Sequence, residues 1–384
     1  METVNHRKEL EAVTDKIQLF ESEPRFARHM AFVLISELLW GKQRLAGESL
    51  PVRTVLQYKK RLKKCAVAES GQVGLDYREL EASWPRYARV NTLTISLEAV
   101  LQQLEGEGWR QVQHPAATTS TAAFLQLLAG LQPDQFMSDL HVPGLLVFPA
   151  KSELHLHPLV TAGSLLLQDK ASCFPVLALA PPPGATVLDA CAAPGMKTTQ
   201  LAGAVGAAGR VTAVERSTQR YHTLCRLLER NGATAVSTVI NQDFLEVDPA
   251  QHPAVQYIAV DPSCSGTGMV RRGGGEEEPG EERLASLAAV QTRLLSHALA
   301  FPAAKRVVYS TCATSLQENE QVVSRVLSLV PGWKVVKNIL PTWERRGLGE
   351  NPMANHFVRA VALEDRCNGF FVAVLKRKKK KKIL

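Results

Sequence analysis

Two cysteines stand where a nucleophile could work. Cys264 in VDPSCSGTG and Cys312 in VVYSTCATS each follow a short apolar run that reads as a buried strand. A cysteine at a strand end is ordinarily a small buried hydrophobe. Two of them, beside a third motif able to hold a cofactor, suggest a thiol nucleophile with a second thiol next to it. That third motif is DACAAPGMKT, Asp189 to Thr198, lying between the strand-like TVLDAC and the helix-like TTQLAGAV. Pro194 and Gly195 impose a tight turn, small side chains at Ala192 and Ala193 let a ligand approach the backbone, and free N–H groups at the helix start suit a carboxylate or phosphate.

Glu215 closes the next strand, 20 residues past Gly195. An acidic side chain at that distance in a nucleotide-binding sheet accepts hydrogen bonds from a ribose diol; the plain alternative is a solvated strand-end carboxylate. GxGxxG and GxxxxGK[ST] are both missing, which disfavours dinucleotide hydride transfer and P-loop phosphoryl transfer. S-adenosylmethionine fits what remains: its ribose suits Glu215, its amino-acid end suits the turn at Ala192 to Gly195, and its sulfonium tolerates Asp189 and Asp243. Asp243, in NQDF, is placed near the adenine, or is an ordinary loop aspartate.

These motifs need a scaffold that gathers strand ends. From about residue 160 the runs SLLLQD, TVLDAC, RVTAVE, STVINQD, YIAVDPS, RVVYSTC and GFFVAVLK alternate with helical stretches, the pattern of a doubly wound, mainly parallel α/β sheet. Ligands bind such sheets beyond the carboxyl ends of the strands, where strand order reverses. In the usual order the strands before DACAAPG, DPSCSGTG and YSTC are neighbours, so both thiols face one crevice. The domains expected are a helical region over 1–83, a small α+β domain over 84–158, the catalytic α/β domain over 159–375 and a basic tail over 376–384. RRGGGEEEPGEE, residues 271–282, reads as a surface loop, a disordered insertion or a lid beside Cys264.

The chain has 384 residues, 45% of them hydrophobic, enough for a substantial core. Its seven cysteines are scattered without a CxxC pair, which argues against a disulfide framework and a structural zinc site, and for a reducing compartment. No stretch has eighteen consecutive apolar residues and METVNHRKEL lacks a signal-peptide core, so a soluble, membrane-free intracellular monomer is expected. Lys376, Arg377 and Lys378 to Lys382 supply seven of the eight net positive charges. That run reads as a nuclear or nucleolar address, an anchor for phosphates or a solvated appendage. A second basic excess, from Val55 to Arg89, reads as an exposed helix face.

Together, PRYARVNTL (Pro85 to Leu93), QDKAS (Gln168 to Ser172), DACAAPGMKT, DPSCSGTG and YSTC resemble the Sun-domain family of RNA cytosine-5 methyltransferases, over roughly residues 86–375. Ser263, where most of the family has proline, and HPL…LQDKASC resemble the subgroup acting on large-subunit ribosomal RNA. The resemblance implies a Rossmann-like class I methyltransferase sheet, a preceding small RNA-recognition domain, S-adenosyl-L-methionine as cofactor and large-subunit ribosomal RNA as partner. It implies that Cys312 is the nucleophile, that Cys264 assists loss of the C5 proton and release of the base, that Asp261 binds N3 or the exocyclic amine, and that Lys197 lies near cofactor and target. Cofactor contacts carry over to Cys191, Ala192, Ala193, Pro194, Gly195, Met196, Lys197, Glu215, Arg220, Asp243 and Asp261. Glu215 for the usual Asp and Met196 for the usual Gly or Asn are departures.

The target cytosine must be unpaired or flipped to reach the thiols. Tyr87 and Arg89 are then expected to grip flanking RNA, with a packed strand position as the alternative for Tyr87. Two rivals stand beside this reading. A silent ribosome-assembly factor of the same fold would lack one of the chemical residues, and all are present. A DNA cytosine methyltransferase would carry a glutamate shortly after the fourth-strand cysteine, and DPSCSGTG has none.

Overall fold

The computed structural model describes residues 7–39, 45, 47, 49–62, 65, 84–115, 120–270, 279–349 and 352–378. They form two compact units. The first is helical, with α1 (Arg7–Lys16), α2 (Arg28–Leu39) and α3 (Leu50–Gln57). Leu10, Val13 and Ile17, spaced three and four residues apart, share one face of the first helix and its end, and close a core with Ile35, Leu38, Val55 and Leu62. The boundary expected at 83/84 adjoins residues 66–83, which lie outside the described residues, as do Lys63 and Lys64 of the basic stretch. Among the described residues no helix is long and apolar enough to cross a membrane.

The second unit carries two sheets. The smaller is built from β1 (Arg86–Val90), α4 (Leu97–Gly106), β2 (Arg110–Gln111), α5 (Thr121–Ala129), β3 (Gln135–Ser138), β4 (Leu145–Phe148) and β5 (Leu165–Leu167), in strand order β2-β3-β4-β1-β5. Ser96 and Ser120 start its helices by accepting the N–H groups of Ala99 and Ala123, donors that the first helical turn leaves unpaired. The run SLLLQD was expected in the catalytic sheet, and this expectation is corrected: Leu165 pairs antiparallel with Val90. Three residues with Leu167 42% exposed cannot serve as a strand covered on both faces, and the turn at Gly163 (φ +75°) folds them back onto β1.

The larger sheet follows α6 (Lys170–Leu179). It comprises β6 (Thr186–Asp189), α7 (Met196–Val205), β7 (Arg210–Val214), α8 (Thr218–Arg230), β8 (Ser237–Ile240), β9 (Tyr257–Val260), α9 (Glu281–Ala298), β10 (Arg306–Thr311), α10 (Glu320–Leu329), β11 (Trp333–Val335), β12 (Val358–Ala360) and β13 (Phe370–Arg377). Its order is β11-β13-β10-β9-β6-β7-β8, with β12 also on β13. Strands β10, β9, β6, β7 and β8 are parallel and β13 is antiparallel to β10. Central strands are buried on both faces, which is why TVLD, YIAV and RVVYST read as unbroken apolar runs. Order reverses between β6 and β9, as expected for this doubly wound, Rossmann-like α/β class. The two sheets share one core, in which Tyr87, Met137 and Val147 join Val187, Ala259 and Val374.

Two further expectations are corrected. Glu281 and Glu282, assigned to a loop, open α9, where carboxylates favour the positive end of the helix dipole; residues 271–278 lie outside the described residues. The basic tail was expected from Lys376, yet Lys376 and Arg377 finish β13. Arg377 donates to the carbonyls of Ala304 and Phe301 at 2.9 and 2.6 Å and stacks on Trp333, so its charge serves the sheet edge. Lys378 caps Pro331 O, and residues 379–384 lie outside the described residues.

Candidate active site

The parallel strands all end on one edge, and the candidate residues gather there: Asp189 ends β6 and the turn Cys191–Lys197 follows it, Glu215 follows β7, Asp243 follows β8, Asp261 and Cys264 follow β9, and Cys312 follows β10, with Arg220 in the first turn of α8. The two thiols meet there. Cys264 Sγ and Cys312 Sγ are 3.1 Å apart, and both side chains are only partly buried. The hydrogen bond from Cys264 lowers the Cys312 pKa, aided by the Lys197 ammonium and opposed by burial and the Asp261 carboxylate. The same bond, and then burial, pushes the Cys264 thiol far up. Of the two thiols Cys312 is therefore the more acidic and Cys264 the more firmly protonated.

Lys197 links the thiols to the cofactor turn. Its Nζ lies 2.7 Å from Asp261 Oδ2 and 5.3 Å from the centre of the Phe370 ring. Burial is the largest influence and opposes the ammonium charge, but Asp261, Asp189 and Cys312 together raise the pKa. Ser310 Oγ donates to the other Asp261 oxygen at 2.5 Å, fixing the carboxylate between the turn and β10.

The turn itself is tightly built. Gly195 has φ +114°, and a Cβ there would come within 2.8 Å of Leu224, so both the conformation and the packing of α8 require glycine. Arg220 braces it from α8, donating to Ala193 O at 2.6 Å and lying 3.6 Å from Glu215 Oε2. Glu215, nearly buried, holds Ser217 N with its other oxygen. Asp189 accepts from Thr198 Oγ1 at 2.8 Å, and its carboxyl is pushed up to about 6, chiefly by burial. Asp243 accepts from Leu245 N, capping a short 3-10 turn. Burial likewise raises the thiol of Cys191, followed by the carboxylates of Asp189, Asp261 and Glu215.

A cavity of about 160 Å³ opens among Ser172, Asp189, the turn from Cys191 to Lys197, and Asp261. A larger one of about 740 Å³ lies under α5, between the loop 149–152 and the short helix Ala362–Asp365 with Arg366 at its end. It is walled largely by leucine, proline and alanine, whereas the smaller cavity is lined by the β6 turn and by Lys197 and Asp261, the pair beside the two thiols, and is the one that chemistry selects. The residues around it suit adenosylmethionine in kind: small side chains at Ala192 and Ala193 and a left-handed glycine at the helix start, with Glu215 at the next strand end.

The roles expected of Tyr87 and Arg89 are corrected. Both are 5% exposed. Tyr87 donates its hydroxyl to Arg366 O, and Arg89 donates to Gln168 Oε1 at 2.7 Å and to Met196 O at 3.2 Å. With Asn91, just past the end of β1, which donates to Gly163 O and Asn231 O at 2.8 Å, they occupy alternate positions along this stretch and turn toward the catalytic domain. They lock the sheets together instead of meeting RNA. Sequence reasoning missed Ser310 and Glu318. Only the S-x-x-E spacing of Ser315 to Glu318 hinted at the latter, as a local cap.

Comparison with known proteins matches three segments of the chain. Residues 176–376 match the family described as 16S rRNA methyltransferase RsmB/F, 84–168 the NOL1/NOP2/Sun domain family member 5 ferredoxin-like domain, and 1–68 that member's N-terminal domain. A 28S rRNA (cytosine-C(5))-methyltransferase of Drosophila melanogaster is 39% identical over 97% of this chain and 86% of its own. The 25S rRNA (cytosine-C(5))-methyltransferase rcm1 of Schizosaccharomyces pombe is 34% identical over 97% and 82%. Among solved structures, a methyltransferase homolog protein from Pyrococcus horikoshii superposes with a TM-score of 0.61 at 21% identity, over 90% of this chain and 99% of that one. NSun6 from Pyrococcus horikoshii with SFG gives 0.57 at 20% identity, over 85% and 97%. The fold, the paired thiols after β9 and β10 and these relatives agree: the chain belongs to the Sun-domain family of S-adenosylmethionine-dependent RNA cytosine-5 methyltransferases.

Proposed function

We propose that this chain methylates C5 of a cytosine in large-subunit ribosomal RNA through a Cys312 thiolate, with Cys264 assisting release. The observation that carries the mechanism is the 3.1 Å thiol pair with the Lys197–Asp261 pair beside it; the RNA class follows from the 28S and 25S relatives. Cytosine C5 is too weak a nucleophile to take a methyl group unaided. Attack of the Cys312 thiolate on C6 makes C5 enamine-like. Attack moves electron density toward N3, which takes up a proton from solvent, and Asp261 accepts a hydrogen bond from the resulting N3–H or from the exocyclic amine, an interaction that strengthens only as the adduct forms. S-adenosylmethionine supplies the electrophilic methyl group, held by the Cys191–Lys197 turn, Glu215, Arg220, Asp243 and Asp261. With Cys312 held as the thioether, Cys264 gives its thiol proton to solvent and its thiolate takes the C5 proton; the C5–H electron pair forms C5=C6, the C6–S bond breaks with its pair returning to Cys312, and N3 gives back its proton.

The base must leave its stack to reach the sulfurs. The basic residues from Lys378 onward direct the protein to the nucleolus and add charge-driven RNA affinity; truncation after Lys378, which spares β13, tests this, and unchanged localisation and unchanged salt dependence of RNA binding would refute it. For the activity itself, the test is label transfer from radioactive cofactor to large-subunit ribosomal RNA. Transfer by the native chain, its loss in Cys312→Ala, and a cytosine protected from bisulfite only where the protein is present are expected. Failure to label RNA, or equal labelling of DNA, would overturn the reading.

A further inference from the structure

We infer that Glu318 is the positioning residue that seats the release thiol, Cys264, against the nucleophile Cys312. The inference rests on the roles proposed for the two cysteines. Glu318 is fully buried, six residues past Cys312, and its carboxylate gathers donors from three elements. Ser265 N and Gln291 Nε2, the latter from α9, donate to Oε1 at 2.9 and 3.0 Å; Ser265 Oγ and Ser315 Oγ donate to Oε2 at 2.6 and 3.1 Å. Ser265 adjoins Cys264 in the chain, so this carboxylate in the Cys312 loop grips the Cys264 loop by backbone and side chain together. Gln291 also donates to Ser263 O at 3.1 Å, on the other side of Cys264. The backbone flanking this thiol is therefore held on both sides by one buried network centred on Glu318.

The neighbours of Glu318 brace its own loop. Asn319 accepts from Thr311 Oγ1 and donates to Ala313 O, spanning Cys312. Glu320 forms a buried bidentate pair with Arg359, which also donates to Thr314 O. Tyr309 donates to Glu318 O at 2.6 Å from within β10. The Cys312 side thus keeps these anchors without the Glu318 carboxylate; the Cys264 loop keeps Gln291 on Ser263 O and Thr267 on Thr314 but loses both contacts to Ser265, the residue next to the thiol. Loss of that carboxylate displaces Cys264 and leaves Cys312 in place.

The consequence is specific. A protein without the Glu318 side chain still attacks C6 through Cys312 but releases its product slowly, and so accumulates a covalent RNA–protein complex. A general weakening of the fold would lose complex and turnover together. The amide of Glu318→Gln can accept from Ser265 N and Gln291 with its oxygen and donate to the two serine hydroxyls, so it keeps the geometry.

The test compares Glu318→Ala, Glu318→Gln and Cys264→Ala in the full chain with ribosomal RNA and cofactor, reading complexes on denaturing gels and turnover separately. Expected are trapped complexes in Cys264→Ala and in Glu318→Ala, turnover in Glu318→Ala lower on the order of 10²-fold, the loss typical of a misplacement of about 1 Å, and near-native behaviour in Glu318→Gln. If Cys264→Ala traps and Glu318→Ala does not, the inference fails while the proposed mechanism stands. If Cys264→Ala itself does not trap, the mechanism fails first. Should Glu318→Ala not fold, Ser265→Ala removes one of the contacts; partial trapping supports the inference and native behaviour overturns it.

Discussion

Removal of the Cys264 thiol should change the pH at which Cys312 attacks. The bond between them spans 3.1 Å, and it is the largest influence lowering the Cys312 pKa. A hydrogen bond to a charged group contributes about 1.5–3 kcal/mol. At about 1.36 kcal/mol per pH unit, Cys264→Ala should raise the Cys312 pKa by about one to two units. The reactive form is the thiolate, so a raised pKa moves the rising limb of the rate to higher pH and slows attack at neutral pH by about 10–100-fold. Single-turnover reactions with excess enzyme, quenched across pH 6 to 9, would follow adduct formation in Cys264→Ala and methyl transfer in the native chain. Cys264→Ser, whose hydroxyl can still donate to the thiolate, should fall between the two. An unchanged or lowered midpoint in Cys264→Ala would refute the donor role assigned to this thiol.

Lys197→Met leaves Asp261 without its partner in a pair only 15% and 24% exposed. Breaking such a pair costs about 3–5 kcal/mol, so kcat/KM should fall by at least about 10²-fold, measured by initial rates. Arg89→Met removes two buried donors, to Gln168 and Met196 O, and should lower stability by about 2–4 kcal/mol in urea titrations without weakening binding of RNA by its surface charges. Asp189 is protonated more readily folded than unfolded, since its carboxyl is pushed up to about 6. Its contribution is present below about pH 4 and is lost as pH rises through 6, so cofactor-free Asp189→Asn should show a flatter fall in Tm over that range and should gain up to about 3 kcal/mol at pH 7.

What the sequence disclosed depended on how local the signal was. Strand ends carry Asp189, Glu215, Asp261, Cys264 and Cys312 because parallel strands deliver residues at their carboxyl ends, and the apolar runs before them are unbroken. Gly195 was legible because its turn demands a left-handed residue. Tyr87 and Arg89 were misread because an aromatic and a cation on a short strand look the same whether they face RNA or a second sheet; only the pairing of β1 with β4 and β5 settles which face is covered. Lys376 and Arg377 were misread for the converse reason, since a charge run has no periodicity to reveal that its first residues finish a strand. Glu318 was hidden because its partners, Ser265 and Gln291, lie 53 and 27 residues away.

The nucleophile is the central claim, and peptide mapping of the trapped RNA complex addresses it directly. Nuclease and protease digestion of the Cys264→Ala complex, followed by mass spectrometry, should place the residual methylated cytidine on the peptide that contains Cys312, and Cys312→Ala should yield no complex under the same conditions. A nucleotide attached at Cys264 in the native chain, or a complex that survives Cys312→Ala, would contradict the account.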